Sequence, residues 1–217
     1  MPAEVTTKST ADVIVDIFRT FGDESGTQIT RSDIIRWINR FQLELVMRNP
    51  EVGAALAVTN SVSGQADYGL LASVPTVLTI QSIHYSNLPL KPISFQEAEI
   101  MLLASDAQTA GTPVCWFERA GVVTLYPTPN SSIPNGIKFY YNKRPADIVS
   151  DSQPLSVPDN YYNVLVNFCL EQAYLLDENA ALAGAVAQKF EAGMAQMKER
   201  TSTQSDYYPS ITNVDDY

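Results

Sequence analysis

Few side chains in this 217-residue sequence can attack a substrate, ligate a metal or carry a proton near neutral pH: one histidine, His84, and two cysteines, Cys115 and Cys169. A thiol is a useful nucleophile only as a thiolate activated by a base. A cysteine-dependent hydrolase would therefore have to be built from Cys115 and His84, and this stands as one alternative. The other reads both cysteines as small buried hydrophobes, Cys115 beside Trp116, with His84 on the polar side of a strand. A single histidine gives no two-histidine metal site, and the two cysteines have no zinc-finger spacing. Gly111-Thr112-Pro113 is a turn, and neither glycine-rich phosphate fingerprint occurs, so no cofactor is implied. Carboxyl pairs such as Glu97 with Glu99 or Asp177 with Glu178 have no cleft around them and read as surface acids. Arg36, Arg40 and Arg48 share one helical face with Glu44 between them. That alternation of sign suits a subunit contact or a solvated or channel-facing surface better than a phosphate clamp. Phe139, Tyr140 and Tyr141 alternate across a strand, which fills a core on one face; a base-stacking platform is the alternative.

The elements that must position these residues are legible in the periodicity. Val13, Ile14, Ile17, Phe18 and Phe21 recur at spacings of three and four, which predicts a helix over residues 11–21 stopped by Gly22. Thr30 with Asp33 opens a second helix that carries Ile34, Trp37, Ile38, Phe41 and Leu45 and ends at Asn49-Pro50. From Gln65 the pattern changes to strands: residues 77–85, then a short helix opened by the capping box Ser94 to Glu97 and running to about Leu103. Residues 104–112 read as a small polar loop. A hairpin follows, residues 114–118 and 122–126, turning at Arg119-Ala120-Gly121. Residues 127–136 read as a loop and 137–141 as a strand. Pro158 and Asp159 start a helix whose stripe is Tyr162, Leu165, Val166, Cys169, Leu170 and Ala173. Asp177-Glu178-Asn179 interrupts it, and an alanine-rich helix spans residues 180–200. Residues 201–217 hold three aspartates and no Lys or Arg, and read as an arm without structure of its own until something binds it.

The fold class is accordingly α+β: a helical bundle from both chain ends, an inserted small antiparallel β-rich subdomain and an extended C-terminal arm. The divisions are residues 1–63 for the N-terminal helices, 64–147 for the β-rich insert with one short helix, 148–200 for the C-terminal helical hairpin and 201–217 for the arm. Apolar residues make up 45% of the chain and charged residues 18%, an ordinary globular balance. The net charge of −10 argues against gripping a nucleic-acid backbone by general charge attraction. It is unevenly spread, at −2, −1 and −7 over residues 1–63, 64–147 and 148–217. The opening residues read as neither signal peptide nor membrane span, which predicts a soluble protein made in a cytosol.

The order of motifs resembles the head-to-tail adaptor (connector) proteins of tailed bacteriophages, particularly the short-tailed kind. The resemblance covers residues 65–200. It rests on Tyr68 ahead of a strand, Leu90-Lys91-Pro92-Ile93-Ser94, Gly111-Thr112-Pro113 before Phe117, and Gly121 through Pro129. Phe139-Tyr140-Tyr141 with Arg144-Pro145, and residues 155–162 before a helix, complete the set. Trp37-Ile38-Asn39 fits the same pattern. The chain departs from it after Tyr68, where Gly69-Leu70-Leu71 stands in place of a Leu-Pro pair. The resemblance implies a non-enzymatic virion protein at the head-tail junction, made in a bacterial host cytoplasm, forming a ring of about twelve copies, a dodecamer, beneath the portal. It implies contacts with the portal protein and with tail or nozzle proteins, double-stranded DNA passing loosely through an axial channel, and no membrane. It also assigns the arm to the portal, with Tyr207, Tyr208, Ile211, Val214 and Tyr217 as anchors. A neck, stopper or tail-completion protein at another level of the particle is the structural alternative.

Overall fold

The chain begins with two amphipathic helices whose starts are fixed by their own side chains. The computed structural model describes residues 8–69, 76–104 and 110–205. Helix α1 (Thr10–Phe21) is capped by Ser9, whose N–H donates to Asp12 at 2.8 Å while the Asp12 N–H donates back to the Ser9 hydroxyl at 3.3 Å. Gly22 ends it in the left-handed conformation that glycine tolerates best. Helix α2 (Arg31–Arg48) opens with the same reciprocal box between Thr30 and Asp33. Each such cap contributes about 1 kcal/mol. The connection between them is organised by the buried Asp23 carboxylate, which accepts bonds from the backbone of Thr27, Gln28 and Ile29 and from the hydroxyls of Ser25 and Thr27. This holds the side chain of Ile29 in the core.

After a 3-10 turn (Pro50–Gly53) the chain becomes extended at once in β1 (Ala54–Ser61). The sequence reading left this segment with the N-terminal helices, since it holds no aromatic residue and its alanines give weak strand preference. Its place is decided by tertiary pairing. The remaining strands are β2 (Asp67–Tyr68), β3 (Val77–Tyr85), β4 (Leu88–Pro89), β5 (Lys91–Pro92), β6 (Cys115–Arg119), β7 (Val122–Tyr126) and β8 (Ile133–Lys143). Helix α3 (Phe95–Ala104) lies between β5 and β6, opened by the Ser94 and Glu97 box. Two four-stranded sheets form, ordered β1-β8-β3-β4 and β2-β7-β6-β5. Among the named strands all pairings are antiparallel except β5 with β6. The β6 to β7 hairpin turns on Ala120 and Gly121, both at positive φ (50° and 78°), as a two-residue turn matching the strand twist requires. The last strand starts four residues earlier than the alternation suggests, because Ile133 pairs with Ser61 across a register shift. Ile83, Tyr85, Leu125, Ile137, Phe139 and Tyr141 belong to the core of this unit.

The bundle is completed from the other end of the chain. A 3-10 turn (Asp159–Tyr161) leads into α4 (Tyr162–Leu176), and Asp177-Glu178-Asn179 reverses the chain into α5 (Ala180–Ser205). Phe41, Phe168 and Phe190 meet in a ring cluster at its core, with centroids 5.4 to 6.3 Å apart. Gly193 lets α5 approach α4 closely, since a Cβ there would lie 2.9 Å from a Val164 methyl. The segment before α4 is tied to α2 by polar side chains: the Ile148 N–H donates to Asn39 at 2.7 Å and the Ser156 N–H to Gln42 at 3.1 Å. The chain thus divides into a helical unit (Met1–Val52 with Ala146–Tyr217) and a β-rich unit (Gly53–Pro145). Residues 201–205 extend α5 rather than opening the arm.

Candidate functional site

His84 and Cys115 are held by separate sheets and separate partners. His84 sits in β3, its ring 4.8 Å from that of Tyr140 and its Nε2 3.5 Å from the Ser82 hydroxyl. Cys115 sits in β6, where its thiol donates to the Tyr126 carbonyl at 3.5 Å. Burial pushes the Cys115 thiol above its ordinary range, and the fully buried Cys169 thiol is pushed up by the same cause. A thiol so displaced is a poor nucleophile at neutral pH. Among the described residues no cluster of three or more His, Cys, Asp or Glu is arranged to hold a metal ion.

Two of the three singled-out arginines are absorbed into the bundle. Arg48 binds Glu44 at 2.7 Å within α2 and both carboxylate oxygens of Glu191 on α5 at 2.9 Å, with its guanidinium over the Phe190 ring. Arg40 donates to Gln172 at 3.4 Å and lies over Phe168 on α4. Among the described residues Arg36 pairs within its own helix, with Asp33 at 2.9 Å, and its side chain stays 73% exposed. A further arginine at the start of α2, Arg31, reaches Asp151 at 2.8 Å; sequence inspection offered no signal for it. Glu171 lies in the field of this network. Its carboxyl is pushed up by burial first and then by Glu44 and Glu191, against the pull of Arg40 and Arg48.

Phe139 and Tyr141 are buried and Tyr140 is half-exposed, so the aromatic run of β8 fills the core on one face as its alternation indicated. The opposite face of the same sheet carries Leu56 and Val58 of β1, 51% and 44% exposed. Periodicity could not flag these two because β1 itself went unread. Tyr207, Tyr208, Ile211, Val214 and Tyr217 lie outside the described residues, as do Leu70 and Leu71 of the departure after Tyr68. Among the described residues no helix is long and apolar enough to cross a membrane.

What the structure presents is therefore packing, caps and ion pairs with open surfaces around them. No curated protein matches the chain. A family model described as SU10 adaptor protein matches residues 8–214, which takes in both helical segments and the whole β-rich unit. A match over nearly the full length establishes membership: the chain belongs to the SU10 adaptor protein family, structural head-to-tail adaptors of bacteriophages.

Proposed function

We propose that the protein works as a ring of about twelve copies beneath the portal, joining the DNA-filled head to the tail and lining the exit channel. The observation that carries this reading is the family match spanning a bundle made from both chain ends with a β-rich unit inserted in it. The charge supports the channel role. A subunit of −10 repeated around an axis makes a negative duct, through which a DNA phosphate backbone slides without being held. The paired arginines agree, since Arg40 and Arg48 are already engaged by protein side chains. No side chain performs a reaction; the protein acts through contacts in the virion.

The C-terminal residues dock on the portal. Helix α5 has 26 residues against 15 in α4, so it outruns its partner by about 11 residues, or roughly 16 Å. Residues 206–217 begin at its tip and bring Tyr207, Tyr208, Ile211, Val214 and Tyr217 as apolar and aromatic anchors. Mixing the protein with its portal and weighing the complexes by mass photometry tests the proposal. Ring-sized additions to the portal are expected, and monomers that never bind would overturn it. Removing residues 206–217 is expected to abolish portal binding; unchanged binding favours a neck or stopper position elsewhere in the particle.

A further inference from the structure

The outward face of the first sheet combines apolar and basic side chains. Leu56 and Val58 of β1 lie across from Tyr140 and Lys138 of β8, and Lys138 lies across from His84 of β3, so these side chains share one face. Leu56 and Val58 are exposed there, and Lys138 makes no ion pair among the described residues. The four strands of the sheet contain Lys138 and Lys143 and no Asp or Glu.

A second exposed apolar group stands at the tip of the hairpin of α4 and α5. Leu175 and Leu176 end α4, Leu182 lies in the first turn of α5, and they are 53%, 56% and 45% exposed. Asp177 and Glu178, both exposed, lie in the turn between them. The two places carry opposite and unmixed charge. From residue 119 to 146 the charged residues are Arg119, Lys138, Lys143 and Arg144, all basic. From 147 to 188 they are Asp147, Asp151, Asp159, Glu171, Asp177 and Glu178, with no Lys or Arg.

We infer that the tip of the hairpin in one copy seats on this sheet face of a neighbouring copy, its leucines against Leu56 and Val58 and its acids toward Lys138. Charge complementarity names the occupant: the face calls for a surface that is both acidic and apolar, and every copy of the chain carries one. A DNA phosphate backbone would answer Lys138 but would leave Leu56 and Val58 against hydrated charge, with no apolar area buried. Two sheet faces together, or two tips together, would oppose like charges, so the contact joins different surfaces. Such a contact is heterologous; each copy gives one surface and receives on the other, and the chain of contacts closes into a ring when the rotation permits. This inference rests on the ring reading above and supplies its contact.

Charge reversal and cross-linking of the portal-bound assembly, sized by mass photometry, test it. Lys138→Glu reverses one side, and Asp177→Lys with Glu178→Lys reverses the other. Each is expected to weaken ring formation at least tenfold with an unchanged circular dichroism spectrum. Both reversals in one chain restore the attraction and are expected to recover the rings. Rings indifferent to either reversal, or a loss that the combination does not recover, overturn the contact and leave the ring reading intact. A loss confined to Lys138→Glu puts another virion protein or DNA on the sheet face and overturns it as well. For the cross-link, preparations carrying Val58→Cys and Leu176→Cys are mixed before assembly and oxidised; the native Cys115 and Cys169 are buried and do not compete. A cross-link between the two variants is expected, with little in either alone. A Val58→Cys dimer formed by that variant alone means that two sheet faces meet, and overturns the proposal. Cross-links between the variants without portal-bound rings uphold the contact and remove the ring reading; absence of both removes both.

Discussion

The helical and β-rich units differ in where their instructions lie along the chain. In the helical unit the end of each early helix is written within four residues of itself: Ser9 with Asp12, Thr30 with Asp33, Gly22 in the left-handed conformation. The apolar stripes then meet across more than a hundred residues, Phe41 against Phe168 and Phe190. In the β-rich unit the elements themselves depend on distant partners. Strand β1 exists because residues 133–142 pair with it, and nothing within its own eight residues demands extension. Helices with local caps need only a partner for one face, whereas a strand needs its ladder before it is a strand at all.

If that contrast is physical, the two cores should respond separately, and the chain carries a reporter in each. Trp37 is in the helical core and Trp116 in the β-rich core, and there are no other tryptophans. In backgrounds keeping one tryptophan at a time, Phe41→Ala is expected to cost about 3–5 kcal/mol in the urea transition seen by Trp37. The transition seen by Trp116 should move far less. The mirror substitution, Leu125→Ala at a 1% exposed position, is expected to cost about 2–4 kcal/mol at Trp116 and spare Trp37. Equal shifts at both reporters would show one cooperative block and erase the distinction.

The same contrast explains what the sequence disclosed. Helices α1, α2, α4 and α5 were legible from stripes and caps, to within a few residues at most boundaries. The Ser94 box and the Gly121 hairpin were legible because their signals are local. Strand β1 was not, and neither was the start of β8 at Ile133, because both depend on pairings between residues 72 to 88 positions apart. A single antiparallel sheet was expected; two form, because the β6 to β7 hairpin pairs with β2 and β5 and not with β3 or β8, a choice of partner that periodicity does not encode. At the candidate surfaces the sequence suggested one face for Arg36, Arg40 and Arg48; it could not show that Arg40 meets Gln172 and Arg48 meets Glu191 while Arg36 stays with Asp33, because tertiary packing sets those partners. The run to Arg200 was read as the end of α5, although Thr201 to Ser205 continue the helix.

A smaller effect sharpens the local side of the comparison. Thr30→Ala removes the hydroxyl that accepts the Asp33 N–H at 3.2 Å. The expected loss is about 1 kcal/mol, read at Trp37 alone. Thr30→Ser should restore most of it, since the hydroxyl is what caps. A loss shared by both reporters would mean that the cap sets the stability of the whole chain.

The smallest expected effect comes from the ion network that joins α2 to the later helices. The Glu171 carboxyl is raised above its ordinary value by burial and by Glu44 and Glu191, with Arg40 and Arg48 opposing. A raised carboxyl binds its proton more tightly in the folded state. Its contribution to stability is therefore fully present below the unfolded value, about 4.3, and is lost as pH rises through the folded value. At pH 7 the charged Glu171 is a net cost. Glu171→Gln should then stabilise the helical unit at pH 7 by less than about 1 kcal/mol, the ceiling for a solvent-screened charge interaction. That advantage should disappear as pH falls toward 4, where the natural side chain is protonated. Urea transitions of the Trp37 reporter at the two pH values measure the difference. An advantage that stays constant with pH would assign the gain to helix propensity or packing, and would remove the charge network from the account of how the early and late helices are joined.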